Sequence, residues 1–182
     1  LGEEIIVERK LEAGMWTTTT ETVPSRVVNR QISNTAIVIG NGTNRLGFDL
    51  QNFKKPSGLL GARTVQTYGC NAILRDFEPD FTVANDAIAS ELVNTGKCED
   101  NIVYGSSDMI LKYPGKFYVI PQNPNWDAGA MATYIACFDG HKQIYLMGFD
   151  LHSGETNYQQ NVYSGTNGYP AAASLTTEAY FE

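Results

Sequence analysis

The chain has 182 residues, 42% hydrophobic and 18% charged, the proportions of one globular domain with a sizeable core rather than two. Thirteen Lys and Arg against twenty Asp and Glu give a net charge of −7; with no basic cluster beyond Lys54-Lys55, no nucleic-acid partner is expected. No apolar run approaches the roughly eighteen residues of a membrane span, so no membrane partner is expected, and the first thirty residues carry no signal-peptide core.

Residues 1–34, including "EEIIVERKLEAGMWTTTTETVPSRVVNRQ", are rich in Thr, Glu and β-branched residues with weak alternation and no helical stripe, and are read as an extended N-terminal arm or hairpin. From Thr35 to residue 182 the pattern is that of a single α/β domain. Strands are expected at 35–39, 64–68 and 80–84, with helices at 71–77 and 86–95, then strands near 101–104 and 117–120. "PQNPNWDAG" is a loop because Pro121 and Pro124 exclude regular pairing. "AGAMATYIACF" reads as a helix of small residues, and "QIYLMGFD", nearly continuous in apolar residues, as a strand buried on both faces. A long polar, Gly-rich loop follows over 151–173, of the length that lids and binding loops have, and a last helix is expected from Ser174. The chain opens at Leu1 without Met and is read as processed or trimmed.

This alternation argues for a Rossmann-like, doubly wound, mostly parallel sheet with helices on both faces, and such sheets bind ligands at the carboxyl ends of their strands. Those ends carry Gly40-Asn41-Gly42 with Thr43 and Asn44, then Asn71, Asp86 and Asp150. The first loop has neither the GxGxxG spacing of a dinucleotide fold nor a P-loop. Two readings of it stand open: a tight turn, or a loop whose glycines admit a phosphate to the backbone while Asn41, Thr43 and Asn44 offer amide and hydroxyl donors. Taken singly, Asn71 and Asp86 are helix caps and Asp150 a turn residue; their common placement is the argument for a site.

Catalytic candidates are few. His141 reads as a solvated loop residue, and His152, just beyond Asp150, is the histidine placed to act as a base. There is no GxSxG elbow. Spacings near these edges support no metal site, and Asp76 reads as a cap. Cys70, Cys98 and Cys137 are odd in number and widely spaced, so they are read as reduced. Tyr158 and Tyr163 in the late loop are donors for a bound phosphate, against the alternative that they merely pack on its surface.

"IVIGNGTNR", "TYGCNAILRDFEPDFTVANDA", "DAGAMATYIACFDGHKQIYLMGFDL" and "NVYSGTNGYP" resemble a protein family of marine, cyanophage-like bacteriophages over roughly residues 35–170. More distantly, the order of landmarks is similar to the small bacterial sialyltransferases that use CMP-sialic acid and to the 6-hydroxymethylpterin diphosphokinase-like family. The resemblance to the sialyltransferases implies that Gly40-Asn41-Gly42, Cys70-Asn71, Ala128-Gly129 and Tyr145 to Asp150 surround a nucleotide, with Gly129 at a helix start and Tyr158 and Tyr163 supporting the leaving phosphate. Thr43-Asn44 stand where those relatives have Pro-Ser, and Ala128 where they have Ser, which removes a hydroxyl contact. Their lid histidine has no counterpart in "NVYSGTNGYP", so His152 would have to substitute, beside Asp150. The diphosphokinase likeness rests on Pro79-Asp80 with Asp86 and implies magnesium, whereas the sialyltransferase likeness implies metal-independent transfer.

The expected function is a nucleotide-binding, transferase-like protein of phage origin, of glycosyl or of nucleotidyl or diphosphoryl type, whose ligand is a nucleotide or a CMP-type nucleotide-sugar. The alternative is a virion structural protein that retains the fold and assembles with virion subunits through its arm, without catalysis; a binding module without turnover is the third. The location implied is host cytoplasm or virion.

Overall fold

A computed structural model of the chain describes residues 2–12, 15–25, 33–54, 65–120, 126–150 and 161–169. Its strands are β1 (Gly2–Glu12), β2 (Met15–Ser25), β3 (Thr35–Ile39), β4 (Gln66–Cys70), β5 (Phe81–Val83), β6 (Val103–Gly105), β7 (Tyr118–Val119) and β8 (Gln143–Met147). The helices are α1 (Asp86–Asn94), α2 (Lys97–Asp100), α3 (Ser107–Lys112) and α4 (Ala128–Phe138). Tight 3-10 turns form at Thr43–Arg45, Leu50–Lys54 and Asn71–Arg75.

The strands lie in the order β1-β2-β7-β6-β5-β4-β3-β8. From β3 to β8 all pairings are parallel, the arrangement the sequence implies. The chain steps one way from β3 to β7, then returns through α4 to place β8 on the far side of β3. Because parallel crossovers are right-handed, a reversal of direction moves the connecting helix to the opposite face. The two cores follow from this. Ile37 and Ile39 face the cluster made with α1, α2, α3 and the turn at Asn71–Arg75; Ala36 and Val38 face the cluster made with α4. Small residues Ala128, Ala132 and Ala136 let α4 lie close to the sheet.

The arm is a hairpin in which Gly2 pairs with Ser25 and Glu12 with Met15. Among the described residues it joins the rest of the sheet at one residue pair, Ser25 with Val119.

Two sequence expectations about these elements are corrected, and two short helices are added. The helix expected at 71–77 is the short 3-10 turn, because Pro79 disfavours helical geometry in Glu78 before it and Asn71 opens the turn at φ +51°, a conformation Asn tolerates better than most residues. β8 is not buried on both faces: it is the edge strand, and Tyr145 and Leu146 are exposed. A continuous apolar run therefore marked an edge here, not a centre. α2 and α3, one and two turns long, carry too little periodicity to be seen in the sequence. The helix expected from Ser174 lies outside the described residues.

Candidate carboxyl-edge site

The pairing of β3 with β8 continues beyond both strands: the Gly40 N–H donates to Met147 O and the Gly42 N–H to Gly148 O, both at 2.7 Å. Gly148 turns back at φ +76°, and a Cβ there would lie 2.6 Å from Gly40 O. The glycines thus permit two loops to touch. The turn at Thr43–Arg45 then presents N–H groups that attract an anion, and the anion is the protein's own: Asp150 Oδ2 accepts from Asn44 N at 3.1 Å and from the Thr43 hydroxyl at 3.2 Å.

A second internal carboxylate sits at the start of α4. Asp127 Oδ1 accepts from Gly129 N at 2.7 Å and Ala130 N at 3.2 Å, as an N-cap does, while the ring of Phe149 crowds Gly129. Burial raises the pKa of Asp127 above the ordinary carboxylate value, although its two backbone bonds act the other way. The loop where the sequence suggested phosphate and the helix start at Gly129 therefore both hold Asp side chains.

Between them lies a buried polar layer. Asn41, 7% exposed, donates through its side-chain amide to Cys70 O at 3.2 Å and to the Tyr169 hydroxyl at 3.0 Å, and its backbone carbonyl accepts from Val162 N. Arg45 turns inward and is 3% exposed; its Nη2 donates to the Tyr163 hydroxyl at 2.7 Å and to Asp76 at 3.3 Å. The Tyr163 hydroxyl in turn donates to Asp76 at 2.5 Å. Arg75 grips Glu91 through two 2.6 Å bonds and reaches Thr166 and the Asn167 carbonyl, with its guanidinium 5.3 Å from the centre of the Tyr163 ring. Residues 161–169 are thereby strapped over the ends of β3 and β4. Burial pushes the Tyr169 phenol and the Cys70 thiol each up to about 12; burial and the Asp76 bond raise Tyr163 as well. These groups keep their protons at neutral pH.

Farther along the edge, Asn71 Oδ1 accepts from Asn85 N at 2.8 Å, tying the end of β4 to that of β5. Asp86 is exposed at the first turn of α1. A cavity of about 150 Å³ opens there, lined by Asn85, Asp86, Ser106, Ile120, Trp126 and Met131 among others.

Native interiors pair nearly all their buried polar atoms. Among the described residues, the buried side-chain atoms without a partner are Asn41 Oδ1, Arg45 Nε and Nη1, Asp127 Oδ2, Asp150 Oδ1 and, within β5, Thr82 Oγ1. All but the last belong to carboxyl-edge loops. Unlike the tyrosines, which are engaged, these atoms retain hydrogen-bonding capacity.

Of the residues expected at the site, Gly40, Asn41, Gly42, Thr43, Asn44, Asn71, Asp86, Gly129, Asp150 and Tyr163 all lie on this edge. His152 and Tyr158 lie outside the described residues. Arg45, Asp76, Asp127 and Tyr169 are additions. Asp127 had a signal, an Asp immediately before a small-residue helix; Arg45 had none, because an arginine in a polar loop reads as exposed. Asp76, expected as a cap, is instead the carboxylate partner of Arg45 and Tyr163. His141 is not a solvated loop residue: it is buried at the opposite edge, Nε2 2.8 Å from the Tyr68 hydroxyl and Nδ1, 2.7 Å from Ser33 O, carrying a hydrogen toward that carbonyl.

All three cysteines are free. Among the described residues, no group of three or more His, Cys, Asp or Glu side chains could hold a metal ion, and no helix is long and apolar enough to cross a membrane. The chain matches no protein-family model, no curated protein and no solved structure.

Proposed function

We propose that the chain is a nucleotide-binding, transferase-like protein that takes a nucleotide or nucleotide-sugar at the carboxyl edge of its sheet and holds it by hydroxyl groups. The observation that carries this reading is the set of unpaired acceptors, Asn41 Oδ1, Asp127 Oδ2 and Asp150 Oδ1. Ribose and sugar hydroxyls donate to such atoms, whereas phosphate, itself an acceptor, does not. The backbone N–H groups that would serve phosphate already bond Asp127 and Asp150, which leaves Arg45 as the buried cation nearby. Asp127, with its raised pKa, is the carboxyl group suited to exchange a proton with a ligand hydroxyl; His152, two residues beyond Asp150, is a second base.

A thermal-shift panel of CMP, CDP, UDP, GDP, ATP and a CMP-sugar, with and without Mg²⁺, tests it. At a hundred times its Kd a ligand adds about 2.7 kcal/mol, or roughly 5–10 °C for a domain of this size. Asn41→Ala should reduce that shift. No shift with any compound overturns the reading, and binding without product leaves a module that binds but does not transfer.

One observation favours the second reading, a structural subunit of a virion. Among the described residues the β1–β2 hairpin meets the rest of the sheet at a single residue pair, and two-stranded hairpins are marginal in water by themselves, as an arm that rests on a neighbouring subunit would be. Mass spectrometry of purified particles tests it: many copies per particle support it, absence removes it.

A further inference from the structure

We infer that the cavity at the carboxyl ends of β5, β6 and β7 binds the ring of an uncharged sugar. Its buried lining residues, among them Val83, Ile120 and Met131, are apolar. Its exposed ones, Asn85, Asp86 and Trp126, are polar or aromatic, and Ser106 lies between the two groups in exposure. At about 150 Å³ the cavity has room for one six-membered ring, at the edge where parallel sheets present their ligand sites.

Charge selects the class of ligand. Three helices begin around the cavity: α1 at Asp86, α3 just after Ser106 and α4 at Ala128. Their N–H ends would favour an anion, but each already has a carboxylate. Asp86 and Asp108 stand in the first turns of α1 and α3, and Asp127 caps α4. Among the described residues no Lys or Arg lines the cavity, and Arg45 follows β3, two strands away from β5. A phosphate or carboxylate would meet Asp86 with no cation to offset it, so the ligand is uncharged.

The polar groups then name the ligand. The Asp86 carboxylate accepts, and the Asn85 amide both donates and accepts; Asn85 makes no capping bond through its side chain. Ser106 Oγ accepts from Met109 N at 3.2 Å, which leaves its own hydrogen to donate. Neighbouring hydroxyls on one ring, each a donor and an acceptor, match this mixture. Trp126, 44% exposed, is braced edge-to-face by Tyr134 with ring centres 6.2 Å apart. A pyranose offers an apolar C–H face of the kind that the negative face of an indole attracts. A nucleobase is flat as well, but it carries a phosphate one ribose away, which the carboxylates here oppose.

Saturation-transfer NMR on the wild-type chain, without nucleotide, tests the inference. The probes are methyl glycosides of glucose, galactose, mannose and N-acetylglucosamine at millimolar concentration, with cytosine and uracil for comparison. At least one glycoside should take up saturation at its ring C–H protons. Trp126→Ala should abolish that signal with an unchanged circular dichroism spectrum, and Asp86→Ala should weaken binding roughly tenfold. Excess nucleotide-sugar separates two sources of the ring: displacement makes it the sugar of a nucleotide-linked donor, persistence makes it a separate glycoside, and either supports the inference. The sugar site does not rest on the nucleotide reading: an empty nucleotide panel leaves the signal standing, and a nucleotide shift without the signal removes the sugar site alone. No transfer to any glycoside, a signal that survives Trp126→Ala, or tighter binding of cytosine or uracil than of every glycoside would each overturn it.

Discussion

The carboxylate of Asp150 lies 3.1 Å from the backbone nitrogen of Asn44, in the place a phosphate would take on a Gly-rich loop. The loop after β3 is built to receive a negative charge, and the fold supplies that charge from β8. Asp150→Ala removes the acceptor from both Asn44 and Thr43, so urea unfolding should show a loss of about 1–2 kcal/mol. Asp150→Asn keeps one acceptor oxygen and should lose less than half as much.

The approach of the two loops sets a steric limit. Gly148→Ala combines a positive φ with a Cβ 2.6 Å from Gly40 O, and should lower stability by about 2–4 kcal/mol. Gly47 has open space around its Cβ position, and Gly47→Ala should stay within about 0.5 kcal/mol of wild type. Thermal unfolding of the two variants side by side makes the comparison.

Acid titration separates two carboxylates with opposite shifts. The bond from Arg75 holds Glu91 below its ordinary value. Its stabilisation is therefore present above the unfolded value of 4.5 and is lost as pH falls through the lower folded value. Glu91→Gln should cost about 1 kcal/mol at neutral pH and make the acid decline shallower. Asp127 is shifted the other way, chiefly by burial: ionised, it costs stability at neutral pH, and the cost is relieved as pH falls through its raised folded value. Asp127→Asn, which still caps α4, should raise the melting temperature at pH 7 and weaken any nucleotide response, the trade expected of a strained functional carboxylate. A higher melting temperature with the nucleotide response intact would remove Asp127 from the site.

At the opposite edge, the Tyr68 hydroxyl donates to Asp139 at 2.6 Å and meets His141 at 2.8 Å. Tyr68→Phe keeps the ring but takes the shared hydroxyl from two buried polar groups, and should cost about 2–3 kcal/mol in urea unfolding. Nucleotide-induced shifts should persist, since this cluster lies at the other end of the strands.

The sheet was legible because period and composition agreed: Thr35–Ile39 and Ala128–Phe138 form over the very residues their patterns mark. The burial of each element was harder to read. The apolar run in β8 cannot announce whether another strand lies beside it, since that depends on the return of the chain through α4. At the site, the glycines and Asn41 were visible in sequence, but the partners that define their roles come from far along the chain. Asn41 meets Tyr169, Arg45 meets Tyr163 and Asp76, and Thr43 meets Asp150. The pairing of a loop glycine with another backbone leaves the same local signature as its pairing with a ligand.

The return through α4 also orders events in time. Thr35 finds its partner Gln143 only after every intervening strand has been made, so during synthesis one flank of β3 stays open. Closing so large a loop is entropically slow and rewarded late. The strand that completes the carboxyl edge is thus among the last to dock: until it arrives, Asn44 and Thr43 have no Asp150 to bind, and a nascent chain has the loop without its clasp.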